Sequence, residues 1–346
     1  MNRRKFIVQA ASAAMVGSAA ATGPVLAATK GVSPFYNDDS GFLTVKPDGI
    51  NPPGIRTAGI RMVPVVGGKY KVWTKKVGSG PVKVLLLHGG PGLSHAYLEA
   101  MESFLPQAGI EMYYYDQLGC GNSEQPDDPS LWNLPRYLEE LEEVRLGLGL
   151  DQFVLYGHSW GGILGIEYAL QHPKRLRALV VSNMTAGMDA YVKYSDTLKA
   201  QLPPALLAEL RALEAQQAYD TPAYEKIITE NLYPLMICRT NPWPESVERA
   251  VRLMNAKIYN QMQGKSEFLV TGNLKGWERW DRLHEIKVRT LTMGAKYDEM
   301  DPNDMKKMAT LMPNAVSAIC ENGSHLSMWD DQANYFRHLL LFLHSV

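Results

Sequence analysis

Apolar runs of strand length alternate with stretches of helical spacing through most of this chain, and no other feature constrains its fold as tightly. Val82 to Leu87, Ile110 to Asp116, Phe153 to Tyr156 and Leu176 to Ser182 are short apolar or aromatic runs. Between them, Leu98 to Leu105, Leu134 to Leu148 and Gly161 to Gln171 carry apolar residues at the spacing of a helix face. Strands that are apolar on both faces need cover on both, and helices alternating with them supply it around a parallel sheet. The alternation resumes with Thr290 to Gly294 and Ala315 to Cys320 as strands and Pro302 to Leu311 and Gln332 to Leu343 as helices. The expected class is α/β, with a mostly parallel central sheet.

Between Asn183 and Glu285 the strands stop. Pro204 to Tyr219, Ala223 to Ile237 and Glu245 to Gln263 have helical spacing with proline at their edges. The sequence therefore predicts a core over 28–182 and 286–346 with an inserted helical cap over 183–285. Upstream, residues 28–60 hold Pro34, Pro47, Pro52 and Pro53 and read as an irregular lead-in. Gly59 to Val66 and Tyr70 to Lys75, split by Gly67-Gly68, read as a β-hairpin.

The first residues have a different character. Asn2-Arg3-Arg4-Lys5-Phe6 precedes an Ala-rich apolar run and then Val25-Leu26-Ala27, the order of a secretory signal with a small-residue cleavage site. The paired arginines resemble a twin-arginine export signal, with cleavage expected after Ala27 and a periplasmic or otherwise exported protein. No later apolar run is long enough to span a bilayer, so no stable membrane association is expected after signal removal.

The whole chain has 35 basic and 36 acidic residues. Removing residues 1–27 takes away Arg3, Arg4 and Lys5 and no acid, which leaves 32 against 36, or −4. With no basic block beyond the N-terminus, a nucleic-acid partner is not expected. Cys120, Cys238 and Cys320 are odd in number, widely spaced and without a C-x-x-C, so they read as buried free thiols, with one disulfide left open.

The chemistry centres on Gly157-His158-Ser159-Trp160-Gly161. A nucleophilic serine must stand clear of the backbone and have a base at hand. G-x-S-x-G between a strand and a helix meets the first need, because its glycines permit a cramped turn that lifts the serine above the sheet. Ser159 also opens a helix, where the dipole favours developing negative charge. His88-Gly89-Gly90-Pro91-Gly92 follows the first parallel strand, where glycines let backbone N–H groups approach an oxyanion. The elbow, this loop and the alternating core together resemble the α/β-hydrolase fold, with the oxyanion hole expected at the N–H groups of Gly90 and Trp160. In that fold the order is Ser, acid, His, with the histidine after the last strand. His325 fits as the base and Asp298 as the acid, while Asp301-Pro302 reads as a helix cap. His95, His172, His284, His338 and His344 read as surface or packing residues. No metal or organic cofactor is required.

His88 to Gly92, Tyr115 to Ser123, the Ser159 elbow, Gly294 to Pro302 and Gly323 to Asp331 together resemble the prolyl iminopeptidases, serine peptidases that remove an N-terminal residue, preferably proline. The resemblance runs from about His88 to the C-terminus. It is closest to the tricorn-protease interacting factor branch, on Ser266-Glu267-Phe268 and Ser324 to Trp329. It implies that Glu267 and Glu299 hold the substrate's free amino terminus, in a small peptide or amino acid amide. Amidase or esterase action on small amino acid derivatives stays open, as does, more remotely, a non-catalytic binding protein. Epoxide hydrolase and dehalogenase chemistry is disfavoured, since those enzymes place Asp where Ser159 stands.

Overall fold

The computed structural model describes residues 59–346; the export segment expected over 1–27 and the lead-in up to residue 58 lie outside the described residues. Eight strands form one sheet: β1 (Ile60–Val65), β2 (Tyr70–Val77), β3 (Val82–Leu87), β4 (Ile110–Tyr115), β5 (Phe153–His158), β6 (Leu176–Ser182), β7 (Arg289–Ala295) and β8 (Ala315–Cys320). Their order across the sheet is β1-β2-β4-β3-β5-β6-β7-β8. β1 and β2 form the expected hairpin, and β2 also runs antiparallel to β4. All other neighbours are parallel.

Side chains alternate between the two faces of the sheet. Leu85, Leu87, Leu155 and Val181 pack on one side with Tyr137, Leu141, Trp160 and Ile163. Val84, Leu86, Val154, Tyr156 and Val180 pack on the other with Leu98, Tyr335, Phe336 and Leu339. Full burial of each such leucine or valine contributes about 1.5–3 kcal/mol. This is why strands β3 to β6 tolerate so few polar residues.

Helix α1 (Leu134–Leu148) starts where the Asn133 side chain accepts from the Arg136 N–H and stops at Gly149, which has φ 68°. Helix α2 (Trp160–Gln171) is buried along almost its whole length. Between β6 and β7 the chain adds no strand to the sheet. It runs through α3 (Met188–Lys199), α4 (Pro204–Ala215), α5 (Pro222–Ile227), α6 (Tyr233–Met236), α7 (Glu245–Arg252) and α8 (Ala256–Met262). This helical segment and the sheet belong to one compact unit. The chain closes with α9 (Pro302–Leu311), α10 (Ser327–Asp330) and α11 (Gln332–Leu343) around β8.

Three segments depart from the simple helical expectation, each for a local reason. The long helix expected over Glu245 to Gln263 is two helices, because Asn255 leaves the helical path. Its N–H donates to Gly92 O at 2.8 Å, its Nδ2 donates to Gly119 O at 2.9 Å, and its Oδ1 caps α8. Ala223 to Ile237 breaks into α5, a π turn over Ile228–Leu232 and α6, at the point where Pro234 has no N–H for the ladder. Leu98 to Leu105 becomes a 3-10 helix, His95–Ser103, whose start is shifted to Ser94 and the His95 N–H bound by Asp116.

The three cysteines are buried and free. No helix among the described residues is long and apolar enough to cross a membrane.

Candidate active site

The loops that follow β3 to β8 carry every residue singled out in the core. Open parallel sheets bind ligands at this edge, because strand ends and helix starts converge there. Ser159 joins β5 to α2 with φ 55° and ψ −129°, a conformation rare outside glycine. The glycines around it have no room for a side chain: a Cβ on Gly157 would lie 2.1 Å from Gly161 O, and one on Gly161 2.4 Å from Leu87 O. The Ser159 N–H donates to Ser182 O at 3.0 Å, which ties the turn to β6. The sharp turn thus follows from glycine spacing plus a backbone anchor.

The loop after β3 lies against the serine, since a Cβ on Gly89 would be 2.9 Å from Ser159 Cβ. Gly90 has φ 115°, and a Cβ there would crowd Gly92 N at 2.6 Å. The loop is fixed from the β4 side by Gln117, whose Nε2 donates to His88 O at 3.0 Å and whose N–H donates to His88 Nε2 at 3.0 Å. Gln117 Oε1 accepts from the Trp160 indole at 2.8 Å, so one side chain sets the loop against the helix that carries Trp160. His88 is a structural imidazole: burial above all pushes it down to about 4, so it stays neutral and accepts from Gln117. Asp116 organises the rest of the Asp116 to Ser123 stretch, accepting from His95 N at 2.8 Å, His95 Nδ1 at 2.8 Å and Asn122 N at 2.9 Å. Burial opposes its ionisation, but these donors outweigh it and hold the carboxyl below its ordinary value.

After β7 and β8, His325 and Asp298 meet as the sequence led one to expect. His325 Nδ1 is 2.8 Å from Asp298 Oδ1, with Asp298 wholly buried. The same oxygen accepts from Met300 N at 3.1 Å, and Oδ2 accepts from Asn183 Nδ2 at 2.6 Å. Asp301 caps α9 through Asn303 N at 2.9 Å. The backbone of His325 is held on both sides. Its N–H donates to Met236 O at 2.8 Å, and its carbonyl accepts from His158 Nε2 at 2.9 Å. That second bond carries the histidine loop to the residue preceding Ser159.

Glu299 is also wholly buried, its carboxyl lies against that of Glu267, and its Oε1 is 3.8 Å from His325 Nε2. Burial, then the charges of Glu267 and Asp298, push its carboxyl well above the ordinary value. Glu267 is half-buried, with its carboxylate accepting from the Tyr259 hydroxyl and its carbonyl from the Tyr191 hydroxyl and Gln263 Nε2. Helices α3 and α8 therefore aim a carboxylate from the insert toward one from the core.

Asn183, Gln117 and Tyr97 also shape the site without being candidates on sequence grounds. Asn183 carried a readable signal, as a polar residue directly after an apolar strand. Gln117 lies within the Tyr115 to Ser123 motif, although its contacts with His88 and Trp160 are not readable there, and Tyr97 carries no signal, because its partner His158 is 61 residues away.

A parallel sheet that presents a strained serine and a buried histidine–aspartate pair from its strand ends is the architecture of an α/β hydrolase. The family model for the α/β-hydrolase fold matches residues 83–332. A proline iminopeptidase of Chitinophaga pinensis is 46% identical over 285 residues, 81% of this chain and 95% of that one. The proline iminopeptidase of Flavobacterium johnsoniae is 44% identical over 283 residues, again 81% of this chain and 95% of that one. Among solved structures, a proline iminopeptidase of Mycobacterium smegmatis superposes with a TM-score of 0.76 at 29% identity, covering 83% of this chain and 98% of that one. The chain belongs to the proline iminopeptidase family of α/β hydrolases.

Proposed function

We propose that this protein is a serine exopeptidase that releases the N-terminal residue, preferably proline, from small peptides. Ser159 Oγ attacks the first peptide carbonyl while His325 Nε2 takes its proton, and Asp298 fixes the His325 tautomer and steadies the imidazolium. The N–H groups of Gly90 and Trp160 receive the oxyanion. As the tetrahedral intermediate collapses, the C–N bond breaks and His325 returns the proton to the leaving amine. Water, deprotonated by His325, then clears the acyl-enzyme and frees Ser159. The family relation and the elbow geometry support this reading.

The observation that carries the exopeptidase step is Glu299, a wholly buried carboxyl set against that of Glu267 and 3.8 Å from His325 Nε2. Two acids sharing a buried site resist joint ionisation unless a cation completes them. A substrate's free amino terminus, lying one bond from the α-carbon next to the attacked carbonyl, is such a cation. A neutral-ended substrate supplies no such charge.

Glu299→Gln tests this. For a Pro-initiated peptide, kcat/KM should fall about 100-fold, the scale of a charge pair broken in a buried site. For p-nitrophenyl acetate, which has no ammonium, it should stay within about threefold. Equal losses on both substrates, or on neither, reject the amine role. On the wild-type protein, proline amide or a simple ester outrunning the peptide in kcat/KM would replace the peptidase reading with an amidase or esterase.

Residues 1–27 are proposed as a twin-arginine export signal, on the order of their charged, apolar and small-residue segments, and the protein as periplasmic or otherwise exported. N-terminal sequencing of native periplasmic protein should begin at Ala28; an intact N-terminus on cytosolic protein rejects export. Ser266-Glu267-Phe268 and Ser324 to Trp329 favour the tricorn-protease interacting factor branch.

A further inference from the structure

Within Gly157 to Gly161, the mechanism uses Ser159, the Trp160 N–H and the two glycines, and leaves His158 without a task. His158 is nonetheless 1% exposed and both of its ring nitrogens are engaged. Nε2 lies 2.9 Å from the His325 carbonyl oxygen, and Nδ1 lies 3.1 Å from the Tyr97 hydroxyl. The same hydroxyl oxygen is 2.6 Å from the Gly89 N–H.

The proton inventory fixes every direction in this chain. A carbonyl only accepts, so Nε2 carries the hydrogen and donates to His325 O. Burial, then the neighbouring His325, hold the ring well below its ordinary value, so it is neutral and Nδ1 offers a lone pair. Tyr97 therefore spends its single hydrogen on Nδ1, and its oxygen accepts from Gly89 N–H. Tyr97 is itself pinned, as Trp329 Nε1 donates to its carbonyl at 2.7 Å. The result is an unbroken path of three hydrogen bonds from the loop after β3 to the main chain of His325. Its central residue is joined covalently to Ser159.

We infer that His158 is a positioning residue: through Tyr97 on one side and the His325 carbonyl on the other, it holds the oxyanion loop and the general base in fixed relation to the nucleophile. The inference rests on the catalytic assignment of Ser159 and His325 proposed above. It has a further consequence for that assignment. Because the Gly89 N–H is committed to Tyr97, the neighbouring Gly90 N–H is the one left for the oxyanion. A rigid link of this kind matters to the chemical step more than to substrate binding, since misplacing reacting groups by even an ångström is costly in turnover.

The test uses the full-length enzyme and a Pro-initiated peptide. His158→Phe keeps the ring and deletes both hydrogen bonds, and Tyr97→Phe deletes the hydroxyl. Each should lower kcat about 10- to 100-fold, the scale of leaving a buried polar pair unmade, with KM within about threefold of wild type. His158→Gln places an amide N–H where Nε2 stands and should recover kcat to within about fivefold of wild type. The double variant should be no worse than the weaker single, as both break one path. If His158→Phe does not fold, Tyr97→Phe and His158→Gln carry the test. A Tyr97→Phe or His158→Phe enzyme with wild-type kcat overturns the inference, as does a His158→Gln enzyme as impaired as the Phe variant. Ser159→Ala and His325→Ala serve as controls. A kcat within about tenfold of wild type in either would instead strike the catalytic assignment itself.

Discussion

Asn183 offers the sharpest test of how the candidate acid is held. Asp298 receives three hydrogen bonds: from His325 Nδ1 at 2.8 Å, from Met300 N at 3.1 Å and from Asn183 Nδ2 at 2.6 Å. Asn183 Oδ1 accepts from Ser182 Oγ at 2.7 Å, which leaves the amide nitrogen pointed at the carboxylate. Asn183 has φ 54°, so Asn183→Gly deletes the amide without forcing the backbone. A hydrogen bond to a buried charge contributes about 1.5–3 kcal/mol. Glycine relieves left-handed strain of about 1 kcal/mol and adds unfolded-chain entropy of similar size, so these two offset. The expected net loss is near 2 kcal/mol, or roughly 3 °C in Tm for a folded unit of this size. Loss of an orienting partner should cost turnover less than loss of the acid, which in a serine protease triad costs about 10⁴-fold; a 10- to 100-fold drop in kcat is expected. Asn183→Asp keeps the shape and the tolerance for positive φ, but sets a second carboxylate against Asp298. Two carboxylates sharing a site resist joint ionisation, so its kcat should fall below that of the glycine variant. Steady-state kinetics on a proline anilide, paired with thermal denaturation, read both effects. A kcat within about twofold of wild type in either variant would refute the reasoning.

Three further outcomes follow from the same geometry. Glu299, raised above its ordinary 4.5 by burial first, keeps a proton in the folded state that the unfolded chain releases as pH rises. Its contribution is therefore intact below 4.5 and is lost upward from there, so Glu299→Gln should stabilise the substrate-free protein more at pH 8 than at pH 5 by denaturant titration. A constant difference would exclude this. His88, held at about 4 against an ordinary 6.5, works in the opposite sense: between those values the unfolded chain binds a proton that the folded one refuses, worth about 3 kcal/mol. The stability advantage of wild type over His88→Asn should shrink as pH falls from 6.5 to 4, and a flat difference would contradict the buried neutral assignment. Gly92 has φ 95°, and a Cβ there would sit 2.8 Å from Asn255 O, across the seam between the oxyanion loop and the start of α8. Gly92→Ala should cost about 1–3 kcal/mol and raise KM, whereas an unchanged melting curve would show that the seam yields freely.

The sequence by itself determined the sheet, the elbow and which residues stand as candidates for the site. Runs such as Val82 to Leu87 and Phe153 to Tyr156 can satisfy their burial in few ways, and the glycines of Gly157 to Gly161 admit only a tight turn. His325 and Asp298 were legible because a strand end is a local feature, readable from the residues beside it. The tertiary structure alone decided what surrounds them. Asn183 reaches Asp298 across 115 residues, Tyr97 reaches His158 across 61, and His158 reaches the His325 carbonyl across 167. It also decided that Glu299 is buried against Glu267, and that Asn255 leaves the helical path to meet Gly92 and Gly119. Hydrogen-bond partners are set by which loops a folded sheet brings to one edge, and period and composition carry no record of distances between them.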